Sequence, residues 1–261
     1  MRPKKSLGQN FLKDKNIIRR ISHLLSESVP KESFLIEIGP GKGALTRELL
    51  KLNPKRLLLI EKDRELLPFL QDVLNDNRME LVIRDVRRFD WETLHNFYLI
   101  ANIPYYITGD IIEIMARNVK DLKCAFLMIQ RELLDKIKAK AGAKRYSYFS
   151  VICSMFFDVS EELSVGRNSF YPAPKVDSAF VKFTPHNLQF VYDDASRILR
   201  SAFMARRKSL WNNLTKVYNN QLIEQCFDVF EIDKKARPQD IPVSLYEKMI
   251  GFLLRHRLEE K

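Results

Sequence analysis

Short apolar runs alternate with amphipathic segments through the first two thirds of the chain. The apolar runs predict strands at 34–38, 56–60, 80–83, 98–101, 124–129 and 178–183. The amphipathic segments predict helices at 14–28, 44–52, 63–74, 110–118 and 131–141. This alternation is typical of a mostly parallel sheet flanked by helices, so we predict an α/β fold.

The pattern changes after Thr184 and Pro185. From there on only helical patterns follow, at 194–205, 208–217, 221–230 and 244–255. We therefore predict an α/β domain over residues 1–185 and a small all-α domain over residues 186–261.

Composition excludes several classes of protein. No apolar run approaches the roughly 20 residues of a membrane helix, and the charged start of the chain has no apolar core after it. We therefore expect no membrane association and a cytoplasmic location. The three cysteines and four histidines are scattered, which gives little support for a metal site or a disulfide.

The net charge of +11 is concentrated in two segments. Residues 1–20 contain seven Lys or Arg and one acid, and residues 195–218 contain six Lys or Arg and no acid. Such patches fit a polyanionic partner, although two solvated helix faces would give the same charges. The candidate contact residues are Lys4, Lys5, Arg206, Arg207 and Lys208.

A glycine loop follows the first predicted strand. Gly39, Gly41 and Gly43 would let the backbone turn sharply and approach a ligand. Their spacing is one residue shorter than the dinucleotide fingerprint, which argues against a pyrophosphate ligand. Glu61 ends the second strand, 22 residues after Gly39, where a carboxylate can accept both hydroxyls of a ribose.

Two further acids, Glu37 and Asp85, end the first and third strands. Three acids at one sheet edge suit S-adenosylmethionine, which carries a sulfonium cation and no phosphate. Each acid alone could instead cap the following helix.

The fourth strand ends in Asn102-Ile103-Pro104-Tyr105, and Pro104 would hold this loop in a rigid extended turn. Methylation of an aryl amine needs such a loop. The Asn102 side-chain oxygen and a main-chain carbonyl of Ile103 or Pro104 can bind the two amine hydrogens, and Tyr105 can stack the base. A turn with a capping Asn and core aromatics is the alternative.

A flipped base needs a second stacking surface. Phe170 is our candidate, in a loop stiffened by Pro172 and Pro174. The alternative is that Phe170 packs into the core.

In this order, the motifs resemble the small-subunit ribosomal RNA adenine dimethyltransferases, the kasugamycin-resistance methyltransferases of bacteria. The resemblance spans nearly the whole chain, and its most specific stretches are Asn102–Tyr105 and Pro174–Ser178. The other matching motifs are 8–12, 37–41, 61–63, Asp85, 130–132, Phe170 and 206–208.

The resemblance implies a class I methyltransferase fold with a seven-stranded sheet and a small helical C-terminal domain. It implies transfer of methyl groups from S-adenosylmethionine to two adjacent adenosines near the 3′ end of small-subunit ribosomal RNA, late in ribosome assembly. The small subunit and its RNA would be the partners of a monomeric enzyme. By matching position, the cofactor site would contain Asn10, Leu12, Gly39, Gly41, Glu61, Asp85 and Asn102.

Two alternatives share this fold. A large-subunit RNA methyltransferase of the macrolide-resistance type shares the glycine loop and the Asn102–Tyr105 stretch, but Pro174–Ser178 and the basic run at 206–208 favour the small-subunit enzyme. A non-enzymatic nucleic-acid-binding factor is disfavoured by the intact cofactor and catalytic loops.

Overall fold

The computed structural model describes residues 3–4, 7–186 and 191–259, with side chains described up to residue 256. The strands are β1 Phe11–Leu12, β2 Phe34–Ile38, β3 Arg56–Glu61, β4 Met79–Ile83, β5 Phe97–Ala101, β6 Leu122–Gln130, β7 Phe157–Val165, β8 Phe170–Tyr171 and β9 Ser178–Pro185. The α-helices are α1 Lys15–Ser28, α2 Thr46–Lys51, α3 Gln71–Leu74, α4 Thr108–Arg117, α5 Arg131–Ile137, α6 Tyr148–Phe156, α7 Tyr192–Ala202, α8 Leu210–Leu214, α9 Asn220–Val229 and α10 Val243–Glu259.

Seven strands form the main sheet in the order β4-β3-β2-β5-β6-β9-β7. The first five of these pair in parallel, and β9 pairs antiparallel with β6. The central strands are buried almost throughout, as expected for a parallel sheet covered on both faces. The predicted α/β fold with a seven-stranded, mostly parallel sheet is confirmed.

One strand of this sheet was not predicted from the apolar pattern. β7 lies at the edge of the sheet, and its middle residues are half-buried and largely polar. An edge strand does not need the continuous apolar run of a central strand, which is why the pattern missed it.

The helix predicted at 14–28 is confirmed as α1. The Asp14 side chain accepts hydrogen bonds from the backbone N–H of Asn16 and Ile17, which caps the helix. The helix predicted at 63–74 is wrong as a single element. Pro68 has no N–H to donate, and the segment forms a 3-10 helix over Arg64–Phe69 followed by the short α3.

The chain divides into two compact units, residues 1–134 with 158–185, and residues 135–157 with 186–261. A boundary falls after Pro185, but residues 135–157 belong to the second unit and not, as predicted, with the rest of residues 1–185. The reason lies in the unpredicted α6, which is mostly apolar and packs against α7 and α10. In this unit the Tyr146 hydroxyl also donates to the Ile241 carbonyl at 2.9 Å.

In the part of the chain that the structure describes, no helix is long and apolar enough to cross a membrane. Cys124, Cys153 and Cys226 are free thiols and are buried. Burial raises the pKa of each thiol, so these cysteines are poor nucleophiles.

Candidate active site

The predicted cofactor residues meet at the carboxyl ends of the parallel strands, where ligands bind in open α/β sheets. A cavity of about 410 Å³ lies at this edge. Its lining includes all seven of them: Asn10, Leu12, Gly39, Gly41, Glu61, Asp85 and Asn102.

Glu61, the last residue of β3, is held by backbone hydrogen bonds. One carboxylate oxygen accepts from the N–H groups of Lys62 and Asp63, both at 2.8 Å, and the other accepts from Gly41 at 3.3 Å. Burial raises the pKa of Glu61, and these three bonds oppose the rise. A carboxylate has about four acceptor positions, so Glu61 retains capacity for a ligand hydroxyl.

Glu37 differs from the other two acids of this edge because it is fully buried. The Thr46 hydroxyl donates to its carboxyl group at 2.6 Å, and burial raises the pKa of Glu37 to about 8. Glu37 is therefore mostly protonated at neutral pH. Glu37 therefore contributes little to the negative charge that the sequence led us to expect from three acids.

Asp85 lies two residues after β4 and lines the cavity. Its carboxylate forms ion pairs with Arg87 at 2.7 Å and Lys62 at 3.0 Å. Hydrogen bonds from Arg87 hold the pKa of Asp85 well below its ordinary value. The same carboxylate accepts from the Arg87 N–H at 3.1 Å, so Asp85 both caps the next turn and faces the cavity.

Residues 7–13, here called the N-terminal strap, supply much of one cavity wall. Within the strap, β1 pairs antiparallel with β8, and Asn10 donates to the Gly8 carbonyl at 3.1 Å. The strap also approaches the glycine loop closely. Gly41 has a φ of +60°, and a Cβ added there would lie 3.2 Å from the Phe11 ring.

The predicted catalytic loop continues directly from β5. Asn102, Ile103 and Pro104 line the cavity. Tyr105 is absent from that lining, and its hydroxyl lies 2.6 Å from the Ser178 hydroxyl. Burial raises the pKa of Tyr105. This bond fixes the Tyr105 ring beside the loop.

Phe170, our candidate for a second stacking surface, lies in the core of this structure. Its side chain is 1% exposed and packs in the same cluster as Leu12. Side chains alternate direction along a strand, so the neighbouring Tyr171 points the other way. Tyr171 is 56% exposed and lines the cavity.

Tyr106 and Tyr171 are cavity-lining residues that sequence reasoning missed. Tyr106 is also more than half exposed. Tyr106 directly follows Tyr105, and Tyr171 directly follows Phe170, both of which were predicted to stack the base. Their position next to these residues is the sequence feature that could have indicated them.

Two basic residues near the start of the chain, Lys4 and Lys5, were predicted to contact a polyanionic partner. The Lys4 ammonium forms ion pairs with Asp63 at 2.7 Å and Glu65 at 2.8 Å, so it is engaged within the chain. Lys5 lies outside the described residues.

The basic run at 206–208 lies in a turn between α7 and α8. Lys208 therefore precedes α8 and does not begin a helix, as the predicted range 208–217 would require. Arg206 donates to the carbonyl oxygens of Lys144 at 3.1 Å and Tyr146 at 2.7 Å, which gives it a structural role within its unit. Arg207 and Lys208 are exposed. These two residues stay candidates for RNA contact.

Among the described residues, no group of three His, Cys, Asp or Glu side chains is arranged to hold a metal ion.

Comparison with known proteins gives four relevant likenesses. Residues 1–254 match the family model described as ribosomal RNA adenine dimethylase. The chain is 39% identical over 243 residues to ribosomal RNA small subunit methyltransferase A of Mycoplasmopsis pulmonis, covering 92% of this chain and 95% of the relative.

Among solved structures, a dimethyladenosine transferase from Plasmodium falciparum superposes with a TM-score of 0.77 at 26% identity, covering 96% of this chain and 98% of the other. The 23S rRNA methyltransferase ErmE superposes with a TM-score of 0.66 at 22% identity, covering 94% and 99%. Both likenesses extend over the whole fold and confirm the predicted class I methyltransferase architecture.

Proposed function

The chain belongs to the ribosomal RNA adenine dimethylase family, as its motifs predict, and we propose that it dimethylates the N6 amines of two adjacent adenosines near the 3′ end of small-subunit ribosomal RNA with S-adenosylmethionine. The observation that carries this proposal is the position of Asn102, Ile103 and Pro104 on the wall of the cavity that gathers the predicted cofactor residues. The reacting amine and the methyl donor would meet there.

The cavity lining fits S-adenosylmethionine. Glu61 would accept a hydrogen bond from a ribose hydroxyl, and Asp85 supplies further acceptor oxygens. Gly39 and Gly41 have no side chain, which leaves their backbone open to a ligand, and Ile60 and Val86 provide apolar surface for the adenine ring. When bound, S-adenosylmethionine supplies a methyl group activated by a sulfonium.

The catalytic loop would activate the amine by holding its two hydrogens. The Asn102 side-chain oxygen would accept one, and a main-chain carbonyl would accept the other, which favours a pyramidal nitrogen with a free lone pair. The Pro104 carbonyl already accepts from the Ile107 N–H at 3.1 Å, so Ile103 is the better candidate for the second acceptor. The amine becomes acidic only as the new N–C bond forms, so its proton can pass to solvent without a strong base. Positioning and electrostatic complementarity would supply the catalysis.

Aromatic residues beside the loop would hold the flipped adenine. Tyr105 is restrained by Ser178, while Tyr106 and Tyr171 offer exposed rings on the cavity wall. Phe170 would take part only after leaving the core, and that role stays a prediction.

We further propose the small ribosomal subunit and its RNA as partners, a cytoplasmic location and a monomeric enzyme. The more similar relative is named for the small subunit, whereas the likeness to the large-subunit enzyme is one of fold. The concentrated positive charge favours a polyanionic partner.

The test is to incubate the protein with methyl-labelled S-adenosylmethionine and, in parallel, unmodified small subunits, unmodified large-subunit RNA or no RNA. Nuclease digestion then maps the label. We expect dimethyladenosine in the small-subunit RNA. Label confined to large-subunit RNA would instead identify a resistance-type enzyme, and bound cofactor without any transfer would indicate a non-enzymatic binder.

A further inference from the structure

A polar cluster ties the N-terminal strap to the loop after β3. The Lys4 ammonium donates to one Asp63 carboxylate oxygen at 2.7 Å, and the Gln9 amide donates to the other at 2.8 Å. The Lys4 backbone N–H also donates to the Gln9 side-chain oxygen at 2.8 Å. The two bonds to Asp63 join residues that are more than 50 positions apart in the sequence.

Asp63 is an unusual partner for a surface lysine because it is only 5% exposed. Burial raises the pKa of Asp63, but the hydrogen bonds from Lys4 and Gln9 outweigh this effect and hold the pKa below its ordinary value. Without these partners the buried carboxylate would keep only the hydrogen bond from the Glu65 N–H at 3.2 Å, which would leave it poorly compensated. The cluster therefore favours one position of the strap.

The same aspartate also contacts the proposed ribose-binding residue. Its backbone N–H donates to the Glu61 carboxylate at 2.8 Å. Asp63 thus contacts the strap through its side chain and Glu61 through its backbone.

The strap itself reaches both halves of the site. It carries the cavity residues Asn10 and Leu12. Gly8 lies against the catalytic loop so closely that a Cβ added there would be 3.1 Å from the Pro104 Cβ. A displaced strap would disturb the cofactor wall and the catalytic loop together.

We propose that Lys4, Gln9 and Asp63 form a latch that holds the N-terminal strap closed over the cofactor cavity. This inference rests on the proposed function. Lys4 and Asp63 are then positioning residues. The positive charge of Lys4 acts within the chain and not on an RNA phosphate. This role replaces the RNA contact that the sequence led us to predict for Lys4.

The latch is tested by calorimetric binding of S-adenosylmethionine and S-adenosylhomocysteine without RNA. Asp63→Asn should weaken binding by about tenfold, because it removes a charge-assisted partner. Lys4→Gln should weaken it by about threefold, as expected for a partly exposed ion pair. Lys4→Arg should restore binding. The matched control Lys15→Gln removes the same charge from the same basic segment at an exposed position and should bind like the unaltered protein.

Amide hydrogen exchange of the cofactor-free protein gives a second readout. In Asp63→Asn and Lys4→Gln, exchange should accelerate in the strap, including Phe11 and Leu12, and stay unchanged in β2. A fold-wide loss of stability would accelerate both segments and would contradict the proposal.

Unchanged cofactor binding and strap exchange in both variants would overturn the latch. So would a Lys4→Gln variant that binds cofactor normally but has a smaller salt dependence of RNA binding, because Lys4 would then be a phosphate contact. If the unaltered protein bound no cofactor, the proposed function would fail, and hydrogen exchange would still decide whether the latch exists.

Discussion

The Gly41 N–H donates to the Glu61 carboxylate across 3.3 Å, and this bond joins the glycine loop after β2 to the end of β3. This bond therefore couples the conformation of the glycine loop to the position of the Glu61 carboxylate, the proposed ribose acceptor. On its other side Gly41 lies against the Phe11 ring of the strap. Gly41 thus connects the glycine loop, to which it belongs, with the end of β3 and with the strap.

Gly41→Ala should weaken S-adenosylmethionine binding by about tenfold or more, because the new Cβ presses on Phe11 and strains the positive φ. Gly142→Ala is the matched control, since Gly142 also has a positive φ but has open space around its Cβ position. Both variants should lose roughly 1–2 kcal/mol of stability, because a residue with a Cβ disfavours the left-handed backbone. Equal cofactor affinities in the two variants, measured by calorimetry, would contradict this account of Gly41.

Asn102→Ala should lower the rate of methyl transfer by about a hundredfold or more, because it removes one of two proposed acceptors for the reacting amine. Asn102→Asp keeps an acceptor oxygen and should retain more activity. Single-turnover transfer to unmodified small subunits measures both, and circular dichroism checks that the fold is intact. Near-normal transfer by Asn102→Ala would rule out the proposed role of this side chain.

Phe170→Ala should destabilise the protein by about 3–5 kcal/mol, because it empties a buried aromatic site. Tyr171→Ala should leave stability within about 0.5 kcal/mol and reduce transfer to RNA, since Tyr171 is exposed on the cavity wall. Chemical denaturation and transfer assays on both variants check the pair. A stable but inactive Phe170→Ala variant would instead support the predicted stacking role of Phe170.

The sequence was a good guide to the central strands and to the acids at their ends. Buried parallel strands such as β2 and β3 carry continuous apolar runs. An acid at the end of such a run is therefore expected at the carboxyl ends of the strands. The edge strand β7 has no such run. The apolar run of α6 does not by itself distinguish a buried helix from a buried strand.

Within the site, the sequence predicted residues that follow strands and missed residues that depend on distant contacts. The pairing of Lys4 with Asp63 joins two loops, and nothing near either residue in the sequence indicates it. The burial of Phe170 in place of Tyr171 depends on the register of β8 against β1. A shift of one residue would have exchanged the two rings.

Glu37 makes the stability of the cofactor-free protein depend on pH. Its pKa is about 8 in the folded protein and near 4.5 when unfolded, so the unfolded state releases this proton first as pH rises. The stability that depends on the protonated form is complete below pH 4.5 and is lost as the pH rises to about 8. Glu37→Gln keeps an acceptor for the Thr46 hydroxyl and cannot ionise. Its melting temperature relative to the unaltered protein should therefore increase from pH 5 to pH 8, and parallel profiles would contradict the buried neutral carboxyl.

Arg207→Glu with Lys208→Glu should weaken RNA binding and reduce the slope of log K against log salt by about 1 to 2, as expected when one or two phosphate contacts are lost. Arg206 is left unchanged because it supports two backbone carbonyls. Lys235→Glu with Lys248→Glu gives a matched control, since it makes the same change in net charge at two exposed positions of the same unit. An identical salt slope for both double variants would exclude residues 207 and 208 from the RNA interface.

The composition of the second unit has a consequence for protein synthesis. Residues 135–157 are translated before the last strands of the first unit, and their helical partners in 186–261 are translated after those strands. During synthesis, the apolar side chains of α6 therefore stay exposed to solvent until α10 has left the ribosome and can pack against them. The first unit is fully synthesised at residue 185 and can fold before the second, and a fragment made of residues 186–261 alone would lack the helix that completes its core.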